Sequence, residues 1–327
     1  MSETQPVPEP RGELTEALID VLGSTPGSPV PRPPAEGADP MLDDDLQLGL
    51  YLCYELHYRG VEGADPAWEW DPGLLGLRRT LETRFEERLR ELTAPDSWPD
   101  DVIGELRRLS SVEDGPSLSE YVETKATLEQ FRELCIHRSG WQLKEADPHS
   151  WAIMRITGVP KAVLVGLQYD EYGAGEPRDV HSTLFAESMR MVGLDERYGA
   201  YVDRMPAITL ATVNLVSMLG LHRRLLPAVI GHLTLFETTS VGPMSRYSRA
   251  LARLGFDADA RRFFDVHVAA DTRHGEIALE KLVGGLLETD PTSGRGILFG
   301  AWALNDVEAR FTDHVLGCWE AGVSSLR

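Results

Sequence analysis

Apolar residues recur at intervals of three and four along most of the chain, a spacing that predicts helices. From Met41, the run MLDDDLQLGLYLCYELHYRG sets Leu42, Leu46, Leu50, Leu52, Cys53 and Leu56 at helical spacing behind an acidic first turn, and Gly60 is a natural stop. Leu74 to Leu92 repeats the pattern with charges between, as an amphipathic surface helix does. The stretch SLSEYVETKATLEQFRELCIHRSGWQLKEA continues it, with Ser117 or Ser119 placed to cap its start and Pro148 to end it. PKAVLVGLQYDEYG follows, with Pro160 in the first turn and Gly173 as a stop. Longer helical stretches are expected over 179–192, over 206–254 with breaks near Pro227 and Gly242–Pro243, over 257–287, and over about 296–321. Strict alternation hardly occurs, so the fold class predicted is all-α.

Ahead of this pattern the chain is crowded with proline and small residues, and only Leu14–Leu22 is locally apolar. Such a segment buries too little by itself to offset its ordering entropy, so residues 1–40 are expected to be a disordered tail with at most one transient helical turn. Residues 41–115 read as an N-terminal helical segment, a candidate dimerisation element, and 116–327 as the functional core.

With 42 % apolar and 26 % charged residues, the composition is that of an ordinary water-soluble globular chain. A net charge of −20 opposes nucleic acid and anionic membrane surfaces as partners, since binding phosphates takes clustered Lys and Arg. Cys53, Cys135 and Cys318 are far apart and form neither a disulfide framework nor a zinc ribbon, which fits a reducing compartment. Neither a signal-peptide pattern nor a membrane-length apolar stretch is evident, so the expected location is cytoplasmic.

The chemistry concentrates in FFDVHVAADTRHGEIAL. At about 100° per residue, His267, Asp271 and His274 emerge at about 0°, 40° and −20°, one narrow stripe that brings two imidazoles and a carboxylate together. An exposed polar seam would look the same, but this nitrogen-and-oxygen donor set suits iron with open positions for oxygen chemistry. One helix cannot complete such a site. Glu145, Glu171, His181 and Glu237 stand in otherwise apolar or motif-like surroundings, where a polar group without a partner is costly. Each alone also reads as a surface or capping residue. Asp170 and Tyr172 flank Glu171 and are placed to orient it, His149 to cap a helix, and His222 and His232 to support ligands. Arg138, Arg155 and Lys161 are candidate partners for a substrate carboxylate. Glu55 and His57 point about 200° apart on a helix and make no metal pair.

The order Glu145, Glu171, His181, Glu237, then His267, Asp271 and His274, with the phrases LKEADPHSWAI, QYDEYGAG, GLHRRL and FFDVHVAADTRH, resembles the haem-oxygenase-like diiron oxidases, often called iron-containing redox enzymes, over about residues 116–327. The resemblance implies a haem-oxygenase-like helical bundle. It also implies two irons cycling between Fe(II) and Fe(III), with dioxygen as co-substrate and an external electron donor. Glu145, His181 and His267 would serve one iron, Glu171, Asp271 and His274 the other, and Glu237 would bridge or complete the site. The GAGEP stretch between Glu171 and His181 implies a loop or distorted turn. Members of such a family act on small molecules. N-oxygenation of an amine or amino-acid-derived metabolite is the first expectation, oxidative carbon–carbon cleavage or desaturation of an amino acid or fatty acid the second, and a homodimer the expected assembly. A non-catalytic iron-binding protein is the rival from another class.

Overall fold

In the computed structural model, which describes residues 4–33, 38–111 and 115–327, the regular structure is helical, and among those residues no strand forms beyond an isolated bridge between Gln5 and Val61. The all-α expectation holds. Helix α1 spans Glu13–Leu22, α2 Asp44–Glu55, α3 Pro72–Leu92 and α4 Val102–Ser111. Then come α5 (Leu118–Thr124), α6 (Leu128–Gln142), the short α7 (Asp147–Ser150), α8 (Gly158–Glu171) and α9 (His181–Met191). The remainder are α10 (Ala207–Leu221), α11 (Leu226–Thr239), α12 (Val241–Arg253), α13 (Ala258–Ile277), α14 (Gly284–Thr289) and α15 (Gly294–Glu320). A π-helical segment, Ala278–Val283, joins α13 to α14. Among the described residues no helix is long and apolar enough to cross a membrane.

Side-chain caps set several of the starts. Asp43, Asp71, Ser117 and Asp257 each accept a backbone N–H of the first turn of α2, α3, α5 and α13. Thr127 and Gln130 form a reciprocal capping box that opens α6. That box corrects one expectation: the stretch from Ser117 is two helices rather than one, and α6 stops at Gln142, well before Pro148.

Residues 1–40 also depart from the disordered tail expected of them. Residues 1–3 and 34–37 lie outside the described residues, but Glu13–Leu22 is a helix whose Leu14, Leu18 and Leu22 are buried, and α1 packs on α2. The carboxylate of Asp45 on α2 accepts the backbone N–H groups of Leu14 and Thr15, fastening the helix start. The segment finds its core on a neighbour instead of in itself.

Helix α10 is buried at every position from Ala207 to Gly220 and forms the centre of the molecule, with α2, α6, α7, α11 and α15 against it. α2 is likewise buried from Leu46 to Glu55, so it closes the core and is no surface helix. α11 and α15 cross most closely. A Cβ at Gly231 would lie 1.9 Å from the Ile297 carbonyl oxygen, and one at Gly300 would lie 1.8 Å from that of Ala228, so the crossing requires glycine at both positions. α13 packs against α8, α9, α11 and α12, and three of these four carry residues facing its polar stripe.

Candidate metal centre

Each element reaches the site differently. Glu145 sits in the turn between α6 and α7, Glu171 is the last residue of α8, and His181 is the first of α9. Between Glu171 and His181 the chain reverses through a 3₁₀ turn, Gly173–Gly175, in which Gly173 (φ 71°) and Ala174 (φ 53°) are left-handed, and then a second, Pro177–Asp179, which is the distorted connection expected there. Glu237 projects from α11, and His267, Asp271 and His274 from α13. All seven side chains are buried.

They gather into two overlapping groups. Donor atoms of Glu145, Glu171, His181 and His267 lie within 4.8 Å of one another, and so do those of Glu171, Asp271 and His274. Glu171 belongs to both. Glu237 stands beside the second group, its Oε2 3.5 Å from His274 Nδ1. His181 Nδ1 is 2.9 Å from Glu171 Oε2, and His267 Nε2 is 3.4 Å from Glu145 Oε2.

What fixes each side chain is as informative as what it faces. His267 Nδ1 donates to the Phe263 carbonyl at 2.9 Å, leaving Nε2 to face the carboxylates. His274 Nε2 is 2.9 Å from Asp170 Oδ2, so its Nδ1 is the inward atom. Ser240 Oγ donates to Asp271 Oδ2 at 2.5 Å, and Gln142, with its amide nitrogen turned toward Glu145, donates to both carboxylate oxygens at 2.6 and 2.8 Å. The opposite ends are orphans. His181 Nδ1, His267 Nε2, His274 Nδ1, Glu171 Oε2, Glu237 Oε2 and Asp271 Oδ1 are all buried and lie 2.9–3.7 Å from ionisable neighbours, yet none makes a well-aligned hydrogen bond among the described residues. Six inward-facing polar atoms left unsatisfied in one place are expensive for a folded chain unless something else binds them.

Electrostatics carries the same message. Burial, followed by repulsion from Glu145, pushes the Glu171 carboxyl up to about 8, and burial with Glu237 nearby pushes Asp271 to about 6. Burial pulls His267 down, but Glu145 and Glu171 outweigh it and hold the imidazole at about 10. His274 is likewise depressed by burial and carried up to about 9 by Glu237 and Asp170. Burial and the neighbouring His267 lower His181 to about 4. Carboxylates crowded this closely repel one another, and two of the three imidazoles, His267 and His274, take up protons to relieve them while His181 stays neutral; a cation of higher charge would do so better. A cavity of about 10 Å³, lined by Glu145, His149, Glu171, Glu237, His267 and Asp271, lies among them and is large enough for a single small ion.

A second cavity of about 620 Å³ shares Phe236 with the first as a wall. Its lining is mostly apolar, with Leu134, Trp141, Phe185, Phe263 and Phe264, and it is polar at Arg138 and Glu308, which form a two-pronged ion pair at 2.7 Å in both arms. Of the three cations suggested for a substrate carboxylate, only Arg138 lines this space; Arg155 instead donates to the carbonyls of Gly220 and Leu221 at the end of α10. Asp170 does orient a site residue, though it is His274 and not the adjacent Glu171. Tyr172 turns away to Asp147 and Ser150. His149 and His232 form a buried pair with 3.3 Å between ring nitrogens, and His222 binds Glu82. Ser240 and Gln142 went unnoticed in the sequence, where nothing marks them out from other polar residues near helix ends.

A family model described as an iron-containing redox enzyme matches residues 132–309, a span that contains all seven residues. Over 156 residues the chain is 28 % identical to the nitrosourea synthase of Streptomyces achromogenes subsp. streptozoticus, covering 48 % of this chain and 32 % of that protein. It thus spans about a third of the length of this curated relative. Among solved structures, a CADD-like protein of unknown function from Nostoc punctiforme aligns with a TM-score of 0.48 and 16 % identity over 72 % of this chain and 96 % of its own. A domain of unknown function with a heme oxygenase-like fold from Shewanella denitrificans aligns with a TM-score of 0.43 and 13 % identity over 76 % and 96 %.

Proposed function

The chain belongs to the iron-containing redox enzyme family, and on that premise we propose that it is a non-haem diiron oxygenase that uses dioxygen and external electrons to oxidise the nitrogen of a small amine or amino-acid derivative. The observation carrying this reading is the convergence, from α8, α9, α11 and α13, of six buried donor atoms that make no well-aligned hydrogen bond among the described residues. Glu145, His181 and His267 would hold one iron, Asp271 and His274 with Glu237 beside them the other, and Glu171, common to both groups, would lie between. A ferrous pair bound there would supply the redox capacity for oxygen activation that amino-acid side chains lack.

The chain's own residues do the rest. Phe263 O, Asp170, Ser240 and Gln142 fix the outward ends of four site residues, so that the inward atoms are aimed before any ion arrives. Trp141, Phe185, Phe236 and Phe263 give the larger cavity an apolar wall, and the Arg138–Glu308 pair offers polar anchorage within it. A preference for nitrogen is supported by the likeness to the nitrosourea synthase, whose name denotes synthesis of a nitrosourea, a product built on oxidised nitrogen.

The test is anaerobic loading with Fe(II), metal analysis, and exposure to oxygen with a panel of amines, amino acids and fatty acids. Two irons per chain, a transient visible absorbance and a product heavier by one oxygen on nitrogen support the reading. Loss of two hydrogens or a shortened carbon chain would assign desaturation or carbon–carbon cleavage instead, and slow featureless iron oxidation without substrate turnover would leave only iron binding.

A further inference from the structure

Immediately before Glu145 the chain is gripped from a different quarter. Lys144 is buried and forms an ion pair with Glu55, which ends α2 and is itself fully buried. The other oxygen of Glu55 accepts the Tyr198 hydroxyl at 2.6 Å. The Lys144 ammonium lies 4.0 Å from the centre of the Tyr58 ring and 5.2 Å from that of Tyr51. One residue earlier, the Leu143 carbonyl accepts from Arg59 at 2.9 Å, and the guanidinium of Arg59 stacks 4.0 Å over Tyr198. Two consecutive residues are therefore tied to groups from positions 55–59, and the next residue is Glu145.

The turn needs such ties. α6 ends at Gln142, so Glu145 has no helical ladder of its own to orient it; the local backbone bonds run from Lys144 to Trp141 at 2.7 Å and from Asp147 to Lys144 at 3.0 Å. A buried lysine–glutamate pair adds little net stability, because desolvating both charges offsets their attraction, and its best-attested use is to fix geometry. Metal ligands tolerate displacements of only about 0.5 Å.

We propose that Glu55 and Lys144, with Arg59 on the Leu143 carbonyl, are positioning residues that set the Glu145 carboxylate in the metal centre, which makes the N-terminal helical segment part of that centre. The inference rests on the diiron reading above. It gives Glu55 a role different in kind from the ligand role that its spacing to His57 rules out, and it assigns residues outside the 132–309 family match to the site.

The experiment is an anaerobic Co(II) titration, followed by visible absorption, on the full chain. The paired replacement Glu55→Gln with Lys144→Met removes both charges at similar volume and avoids leaving one unpaired. Arg59→Met, at a half-buried position, removes the second tie independently and carries the test should the double variant fail to fold. Leu18→Ala, in the α1 core, serves as a control matched for thermal destabilisation. The expected result is that the wild type takes two Co(II), while each positioning variant loses affinity about tenfold or more at one site with a changed visible band, and the control keeps both sites. Unaltered affinity and spectrum in both positioning variants would overturn the inference and leave the diiron reading standing. A wild type that takes up no Co(II) would overturn both.

Discussion

Glu171 Oε2 and His181 Nδ1 lie 2.9 Å apart at the two ends of a chain reversal that begins at Gly173. That glycine has φ 71°, and a Cβ there would meet the Val180 backbone nitrogen at 2.5 Å. Gly173→Ala is therefore expected to cost about 1–3 kcal/mol and to push Glu171 and His181 apart. A thermal melt of the metal-free protein and its iron content after anaerobic loading are the measurements; an alanine variant that melts and loads like wild type would show that the reversal is not strained.

The shared position of Glu171 makes it unlike the other carboxylates. Glu171→Ala should leave less than one iron per chain, whereas Glu145→Ala, which touches one group only, should retain about one. Elemental analysis of both variants after the same loading decides this. Equal losses would mean that Glu171 serves a single ion.

Asp170 acts through His274. It holds Nε2 and so aims Nδ1 inward, and removing such an outer partner commonly weakens metal binding by about 10–100-fold. Asp170→Asn keeps the shape and removes the charge, which lowers the affinity of the second position while leaving the melt of the metal-free protein little changed, since Asp170 is partly exposed. Competition with a coloured chelator reads the affinity.

Acid sensitivity follows from His137 on α6, which is none of the seven site residues. It is buried between Thr209 Oγ1 at 2.7 Å and Ser325 Oγ at 3.0 Å, and burial, with His314 and Arg138 adding to it, lowers its pKa to about 3. The unfolded chain takes up a proton near the ordinary value of about 6.5 that the native state refuses until about 3. Stability is therefore full above about pH 6.5 and falls as the pH drops, by up to about 1.4 kcal/mol per pH unit for this proton. His137→Gln should be the less stable protein near pH 8, yet the gap to wild type should narrow by pH 5 in urea denaturation. A gap independent of pH would assign the acid response to other groups.

The legible parts of this molecule are those governed by helical period. His267, Asp271 and His274 could be placed on one stripe because a single helix carries them, and α3, α10 to α13 and α15 fall close to where apolar spacing puts them. Glu145 sits in a turn and Glu171 and His181 at helix ends, where periodicity carries no information; their apolar or motif-like surroundings made them candidates, and only likeness to a family joined them into one ligand set. α1 was missed for a physical reason: Leu14, Leu18 and Leu22 form a proper stripe, but the entropy argument counted burial within the segment and not on α2, and the flanking prolines reduce the freedom the chain gives up on ordering. The break before α6 had a sequence signal, the Thr127 and Gln130 capping box, hidden inside an otherwise continuous helical pattern.

The burial of α2 against α10 bears on any attempt to trim this protein to a minimal catalytic unit. Asn214 of α10 donates to the Gln47 carbonyl at 2.8 Å and to its side chain at 2.7 Å, so the innermost helix is stitched to a part of the chain upstream of the recognisable family region. A fragment starting at residue 116 would bare an oily trough along α10, severed polar stitches included, and would be a poor candidate for expression; shortened versions have to begin upstream of Asp43, whatever homology suggests.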